Sequence, residues 1–475
     1  MRRNFGGLLA LGITFSVLSV FAMPARDGGP EPVYPAGVNQ PSPARLNRDH
    51  PDLEGEWHCL VLLVDFSDYP WNNQADTLFP NEGLPYTQQH FQDMLFSEGE
   101  YAHPGAGSDY TGSMRDYYTE VSAGAFTVRG VVTRWYRAPH PYRYYCNADG
   151  EFGTEDDYGY RPYPENIQGL VTDVVRLADR DIDFSRYDND GDDRVDALFL
   201  IHAGPGAEDF GRNEIGANYF WSHKWGIPGL ICDSVVVGEY TTEPQNGTIG
   251  VFCHEFGHAL GLPDLYDIDG SSEGVGEWCM MSAGGWNYRR GDPFGSSPAH
   301  FCGWSKLELE WVEVINIADS LENIAIPPIE TDPVVYRLWV GGEDSPEFFL
   351  LENRRRIGFD SGLTRRQVEY NLPAPEGLLI THIDRTRRGW ENNDNADDQH
   401  RLVDVEEASP VFIDGIPFEQ LNRPRVRPED RFLINPNRGD NGDLWPGWSN
   451  LTEDTQDYTG GRDRNRFGLN TIPSS

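Results

Sequence analysis

Basic residues are scarce in this sequence: 38 Lys and Arg stand against 76 Asp and Glu over 475 residues, a formal charge of −38. Phosphate binding needs a basic stripe and none is present, so nucleic acid is excluded as a partner. Long hydrophobic runs are absent after the N-terminal leader, so no later segment spans a bilayer. CxxC pairs are absent as well. Cys59, Cys146, Cys232, Cys253, Cys279 and Cys302 lie too far apart for a zinc ribbon or a knotted scaffold. No internal repeat occurs. What is there is core material: 13 Trp, 22 Tyr and 24 Phe make the chain globular, while 34 Pro and 51 Gly mark many turns. The length points to two or three domains.

The stretch "MRRNFGGLLALGITFSVLSVFAMPA" has Arg2 and Arg3, an apolar run from Phe5 to Phe21, and small residues suited to cleavage between Ala22 and Ala25. It reads as a signal peptide over 1–25, so the mature protein is expected to be secreted. Six cysteines are an even number, and in an exported chain this leads us to expect at least one disulfide. Residues 26–56, rich in Pro, Gly and charge, read as a linker or short pro-segment.

Strand and helix patterns then interleave. "CLVLLVDF" is a buried strand, "GSMRDYYTEVSAG" a helix closing at Gly124, "AFTVRGVVTRWYRA" a strand, "ENIQGLVTDVVRLADR" a helix and "ALFLIHAG" another buried strand. The expectation is an α/β catalytic domain over 57–318. From 319 the texture changes to short strand-like runs, "VVYRLWV", "EFFLLENR" and "GLLITHID", which predict an all-β sandwich domain over 319–475.

One short stretch, "HEFGHALGLPDLYD", carries the chemistry. At about 100° per residue a helix places Ile249, Phe252, Phe256 and Leu260 along one stripe, with Cys253 at its edge facing the core. His254 and His258 fall on the opposite side, one turn apart, with Glu255 beside them. Zinc with three protein ligands and an open position lowers the pKa of water from about 15.7 toward about 7 and polarises a carbonyl. Glu255 would act as general base. No third histidine follows. Either Gly261 turns the chain so that Asp264 arrives, or Glu277 reaches in from a second helix. "DIDGSSEGVGEW" is too rich in Gly and Ser for that helix, so Asp264 is preferred. Downstream, "EWCMMSAGGW" brings Met280 and Met281 after the zinc helix, as in the Met turn of metzincins.

The acidic loop "DNDGDDRVD" spaces Asp188, Asp190, Asp192 and Asp196 as a calcium loop does, although not as an EF-hand, whose first position would be Arg186. His300 reads as a packed residue. His223, between Trp221 and Trp225, is compatible with the cleft wall and stays unassigned, and Tyr288 has no fixed direction from sequence.

Taken in order, "LVLLVDFSDYP", "GSMRDYYTEVSAG", "YDNDGDDRVDALFLIHAGPG", "WSHKWG", "GVFCHEFGHALGLPDLYD", "WCMMSAGGW", "FFLLENRRRIGFDSGL" and "GLLITHID" make the chain resemble the immune inhibitor A family of secreted bacterial metalloproteases, from Cys59 to Phe467. The resemblance implies a metzincin-like fold, zinc at His254, His258 and Asp264, Glu255 as base, Met281 in the Met turn, calcium for stability, and protein or peptide substrates. It departs at Asp193, where the family's loop carries Gly, at Cys253, which replaces a small residue, and at its end, where a further strand is expected. The expected function is a secreted zinc endopeptidase. Its rivals are an inactive adhesion protein and a zinc enzyme acting on a glycan amide.

Overall fold

The computed structural model describes residues 21–24, 53–72, 86–267, 274–318, 324–339, 344–363, 376–387, 401–406, 412–413, 416–417 and 444. In chain order the first elements are β1 (Phe21–Ala22), β2 (Gly55–Asp65), α1 (Gln88–Phe96), α2 (Met114–Val121), β3 (Phe126–Arg137), α3 (Tyr142–Tyr145) and α4 (Ile167–Ala178). Then come β4 (Leu198–His202), β5 (His223–Cys232), β6 (Val235–Pro244), α5 (Ile249–Ala259) and α6 (Gly303–Glu308). The remainder adds β7 (Glu313–Asn316), β8 (Val334–Trp339), β9 (Glu347–Arg354), β10 (Gly377–Asp384), β11 (Val403–Val405) and the short pair β12 (Phe412–Ile413) and β13 (Ile416–Pro417).

Strands β1 to β6 form one sheet in the order β1-β5-β6-β4-β2-β3. Its central ladders β3/β2, β2/β4 and β4/β6 are parallel, while β5 and β1 join antiparallel at one edge. β2 shows why the run "CLVLLVDF" is continuously apolar. Cys59, Val61 and Leu63 face α1, α2 and α5, and Leu60, Leu62 and Val64 face α4 on the other side. A parallel strand covered on both faces has no polar side to display. The β5–β6 hairpin was not predicted. Its two turn residues, Asp233 and Ser234, have φ of 50° and 76°, the left-handed pair that matches strand twist, but without the Asn-Gly signal that would mark it in sequence.

The second sheet has the order β11-β10-β9-β8-β7, antiparallel except for β7 and β8. Among the described residues this five-stranded sheet begins at Glu313, and a separate two-stranded sheet of β12 and β13 follows it. One face of the five-stranded sheet joins the main core, while Ile380 with Phe349, Leu351 and Leu378 forms a small cluster of its own. Val335, Phe348, Leu350, Leu379 and Ile383 belong to the same buried cluster as Met280, Met281, Phe301 and Trp304. Most of the chain after 406 lies outside the described residues, as do 1–20 and 25–52, which cover most of the expected signal and linker. No helix of the described residues is long and apolar enough to cross a membrane.

Candidate metal centre

Helix α5 packs in the orientation its sequence demands. Ile249, Phe252, Cys253, Phe256 and Leu260 lie in the main core, so the opposite face is left for chemistry. Gly250 lets the helix approach closely: a Cβ there would sit 2.0 Å from the Gly285 carbonyl oxygen. After Leu260 the chain turns at Gly261, whose φ of 95° lies in the left-handed region that glycine adopts freely. That turn brings Asp264 back under the helix.

His254, His258 and Asp264 converge, each buried, with one ligand atom apiece within 4.8 Å of the others. Asp264 Oδ1 lies 3.1 Å from His254 Nε2 and 3.2 Å from His258 Nε2. Glu277, the alternative, is not in this group; it is buried on the 3₁₀ turn Gly276–Trp278. The rings are fixed from behind. His254 Nδ1 is 2.9 Å from the Met280 carbonyl oxygen and His258 Nδ1 is 2.8 Å from that of Leu262. A carbonyl only accepts, so each Nδ1 is assigned the proton and each Nε2 turns a lone pair toward Asp264. Two imidazole lone pairs and a carboxylate facing one another in a buried space is a donor set that fits a divalent cation of the zinc type. Burial lowers the pKa of His258. Burial alone would raise that of Asp264, but His258 and His254 hold its carboxyl below the usual range.

The two methionines have separate tasks. Met280 supplies the carbonyl that orients His254, while the Met281 sulfur occupies the space beside Gly257, where a Cβ would come within 2.5 Å of it. The Met281 carbonyl also accepts from the Leu265 amide at 2.7 Å, tying the turn to the Asp264 segment. The roles of the Met280 and Leu262 carbonyls escaped sequence reasoning because a main-chain group leaves no trace in residue type. Glu255 follows His254 on the helix and is fully buried.

In the acidic loop the structure brings together Asp188, Asp190 and Asp196 but not Asp192. Asp192 instead accepts from the Arg194 amide at 2.9 Å. Asp193 has φ of 65°, the conformation a glycine takes without strain, which accounts for the family's Gly at that place. Burial pushes the Asp196 carboxyl up to about 7.

Other readings shift. His223 does not line the cleft; its ring is buried, with Nδ1 2.7 Å from the Trp221 carbonyl oxygen and Nε2 3.0 Å from the Tyr240 hydroxyl. His300 is packed as expected, between Glu120 and Lys306. Tyr288 rests on Phe294, ring centroids 4.7 Å apart. All six cysteines are buried free thiols, so the expected disulfide is not formed. Cys59, Cys253, Cys279 and Cys302 belong to the main buried cluster and Cys146 and Cys232 to a second, and the Cys302 amide donates to the Cys279 sulfur at 3.3 Å.

Comparison with known proteins follows the same lines. The model of the immune inhibitor A peptidase M6 catalytic domain matches residues 54–312. The pre-pro-metalloprotease PrtV of Vibrio cholerae serotype O1 is 33% identical over 318 residues, 60% of this chain and 33% of that protein. Immune inhibitor A of Bacillus thuringiensis subsp. alesti is 32% identical over 294 residues, 56% of this chain and 41% of that protein. The aligned part thus spans less than half the length of either relative.

Proposed function

Because the chain belongs to the immune inhibitor A peptidase M6 family, we propose that it is a secreted zinc endopeptidase that hydrolyses peptide bonds in protein substrates. The observation that carries this reading is the convergence of His254, His258 and Asp264, with Glu255 on the same helix. His254 and His258 would hold zinc through Nε2 and Asp264 through a carboxylate oxygen. The bound ion supplies Lewis acidity, favouring ionised water and polarising the scissile carbonyl. Glu255 accepts the proton of the attacking water on a carboxylate oxygen and delivers it to the leaving amine nitrogen. The carbonyls of Met280 and Leu262 keep both imidazoles in the productive tautomer throughout. Met281 packs beneath as floor. Secretion rests on the leader-like sequence of 1–25, and the convergence of Asp188, Asp190 and Asp196 supports a stabilising calcium ion in that loop.

The test is casein hydrolysis by the purified protein and its Glu255→Ala variant, each with zinc content measured. One zinc per chain in both, with hydrolysis by the wild type alone, is the expected result. Zinc in both and hydrolysis by neither, including after limited proteolysis to remove any pro-segment, would favour the adhesion reading.

A further inference from the structure

We propose that the mature chain begins at Met23 and that its α-ammonium group pairs with the buried Glu208, anchoring the N-terminus on the zinc helix. This inference rests on the secreted reading above and refines it to a bond. Hydrolysis of the Ala22–Met23 peptide by a signal peptidase, with water as co-reactant, gives an Ala22 carboxylate and a Met23 ammonium. Ala22 supplies the small residue that must precede such a cut.

The observation behind it is the seat built for Met23 and Pro24. Both are buried, Met23 completely. The Met23 side chain packs against Val251, one helical turn before His254, and against Trp286. Gly285 makes room for it, since a Cβ there would lie 2.8 Å from the Met23 methyl. Two indoles are committed to the main chain of these residues: Trp221 Nε1 donates to the Met23 carbonyl at 2.7 Å and Trp286 Nε1 to that of Pro24 at 3.0 Å. A cut after Ala25 would strip partners from both indoles and leave the Val251–Trp286 pocket empty. A cut after Ala22 gives up only the two register pairs with His223 and Lys224.

Glu208 supplies the charge. The Met23 amide donates to the Ser222 carbonyl at 3.1 Å. In an antiparallel pair the Ser222 amide would return that bond to the Met23 carbonyl. Here it turns to Glu208 Oε2 at 3.2 Å, and the Ser222 hydroxyl donates to Glu208 Oε1 at 2.5 Å. The carboxylate and the Met23 nitrogen therefore share Ser222 as partner, one on its amide and hydroxyl, the other on its carbonyl. Glu208 is buried and makes no ion pair with a cation among the described residues, and the neighbouring Asp209 carboxylate raises its pKa further. Burial without a counter-charge pushes Glu208 up to about 7, a cost that an ammonium at Met23 relieves.

The full chain is exported from its host and the N-terminus is read by sequencing and intact mass. Met23 as first residue is the expected result. A start at Arg26 or later overturns the proposal but leaves secretion standing; an intact Met1 overturns both. The ion pair is read by α-amine acetylation with an N-hydroxysuccinimide ester near pH 7. The native α-amine should react at least tenfold more slowly than in Glu208→Gln, or, should that variant not fold, than in urea-unfolded wild type. Equal rates overturn the pairing.

Discussion

Glu255→Gln keeps the volume of the side chain and removes its basicity. We expect zinc content to stay at the wild-type level while kcat/KM on a peptide substrate falls by about 10²–10⁴-fold, the range of general-base contributions. Loss of zinc with the activity would place Glu255 among the ligands and refute the assignment. Gly250 carries a different load. In Gly250→Ala the new methyl meets the Gly285 carbonyl oxygen, a main-chain atom that cannot swing away, so α5 must lift from the segment that follows Met281. The expected cost is about 1–3 kcal/mol by urea denaturation, the range for overpacking, together with weaker zinc retention in a chelator competition. Unchanged stability would mean that the helix is not held by this contact.

At the scale of elements, α2 is held by its first turn. Ser113 accepts from the Asp116 amide at 3.0 Å, and Asp116 returns the bond to the Ser113 amide at 2.9 Å, a reciprocal cap. Ser113→Ala should cost about 1 kcal/mol in a denaturant titration. The ends of β4 and β5 carry buried histidines, with acid consequences. Burial lowers His202 to about 4 and His223 to about 3, against an ordinary 6.5. A histidine with a depressed folded pKa binds its proton more readily when unfolded. The stability it contributes is complete above about pH 6.5 and is lost as pH falls toward the folded values. We therefore expect Tm to drop between about pH 6.5 and 4, and less steeply in His202→Gln. Parallel pH profiles for the two proteins would show that His202 takes no part.

For the molecule as a whole, a buried arginine of the second sheet ties that sheet to the turn that precedes Met280. Arg354 at the end of β9 is fully buried and donates to Asp360 Oδ2 at 2.6 Å, to Glu352 Oε1 at 3.1 Å and to the Trp278 carbonyl at 2.7 Å. Trp278 stands two residues before Met280, whose carbonyl orients His254, so the second sheet supports the metal centre from below. Arg354→Met leaves buried carboxylates without their partner, a loss of about 3–5 kcal/mol. A denaturation curve should show that loss with reduced zinc content alongside it. Lower stability with full zinc retention would uncouple the sheet from the site.

The sequence by itself determined the parts whose signal is local. The period-2 and period-3.6 apolar patterns located β2, β3, β4, α2, α4 and α5, because each element buries one side or both according to its own repeat. The poor helix propensity of "DIDGSSEGVGEW" favoured Asp264 over Glu277, and Asp264 is the residue that stands with the two histidines. What tertiary structure decided depends on residues far apart in the chain. The Met280 carbonyl that backs His254 and the Tyr240 hydroxyl that meets the His223 ring each follow from which neighbour arrives across a gap in the chain. The packing of the second sheet is decided in the same way. Strand patterns reveal that a face is apolar, but whether it meets a second sheet or the underside of the zinc site is settled only when Val335 and Phe348 share one core with Met281.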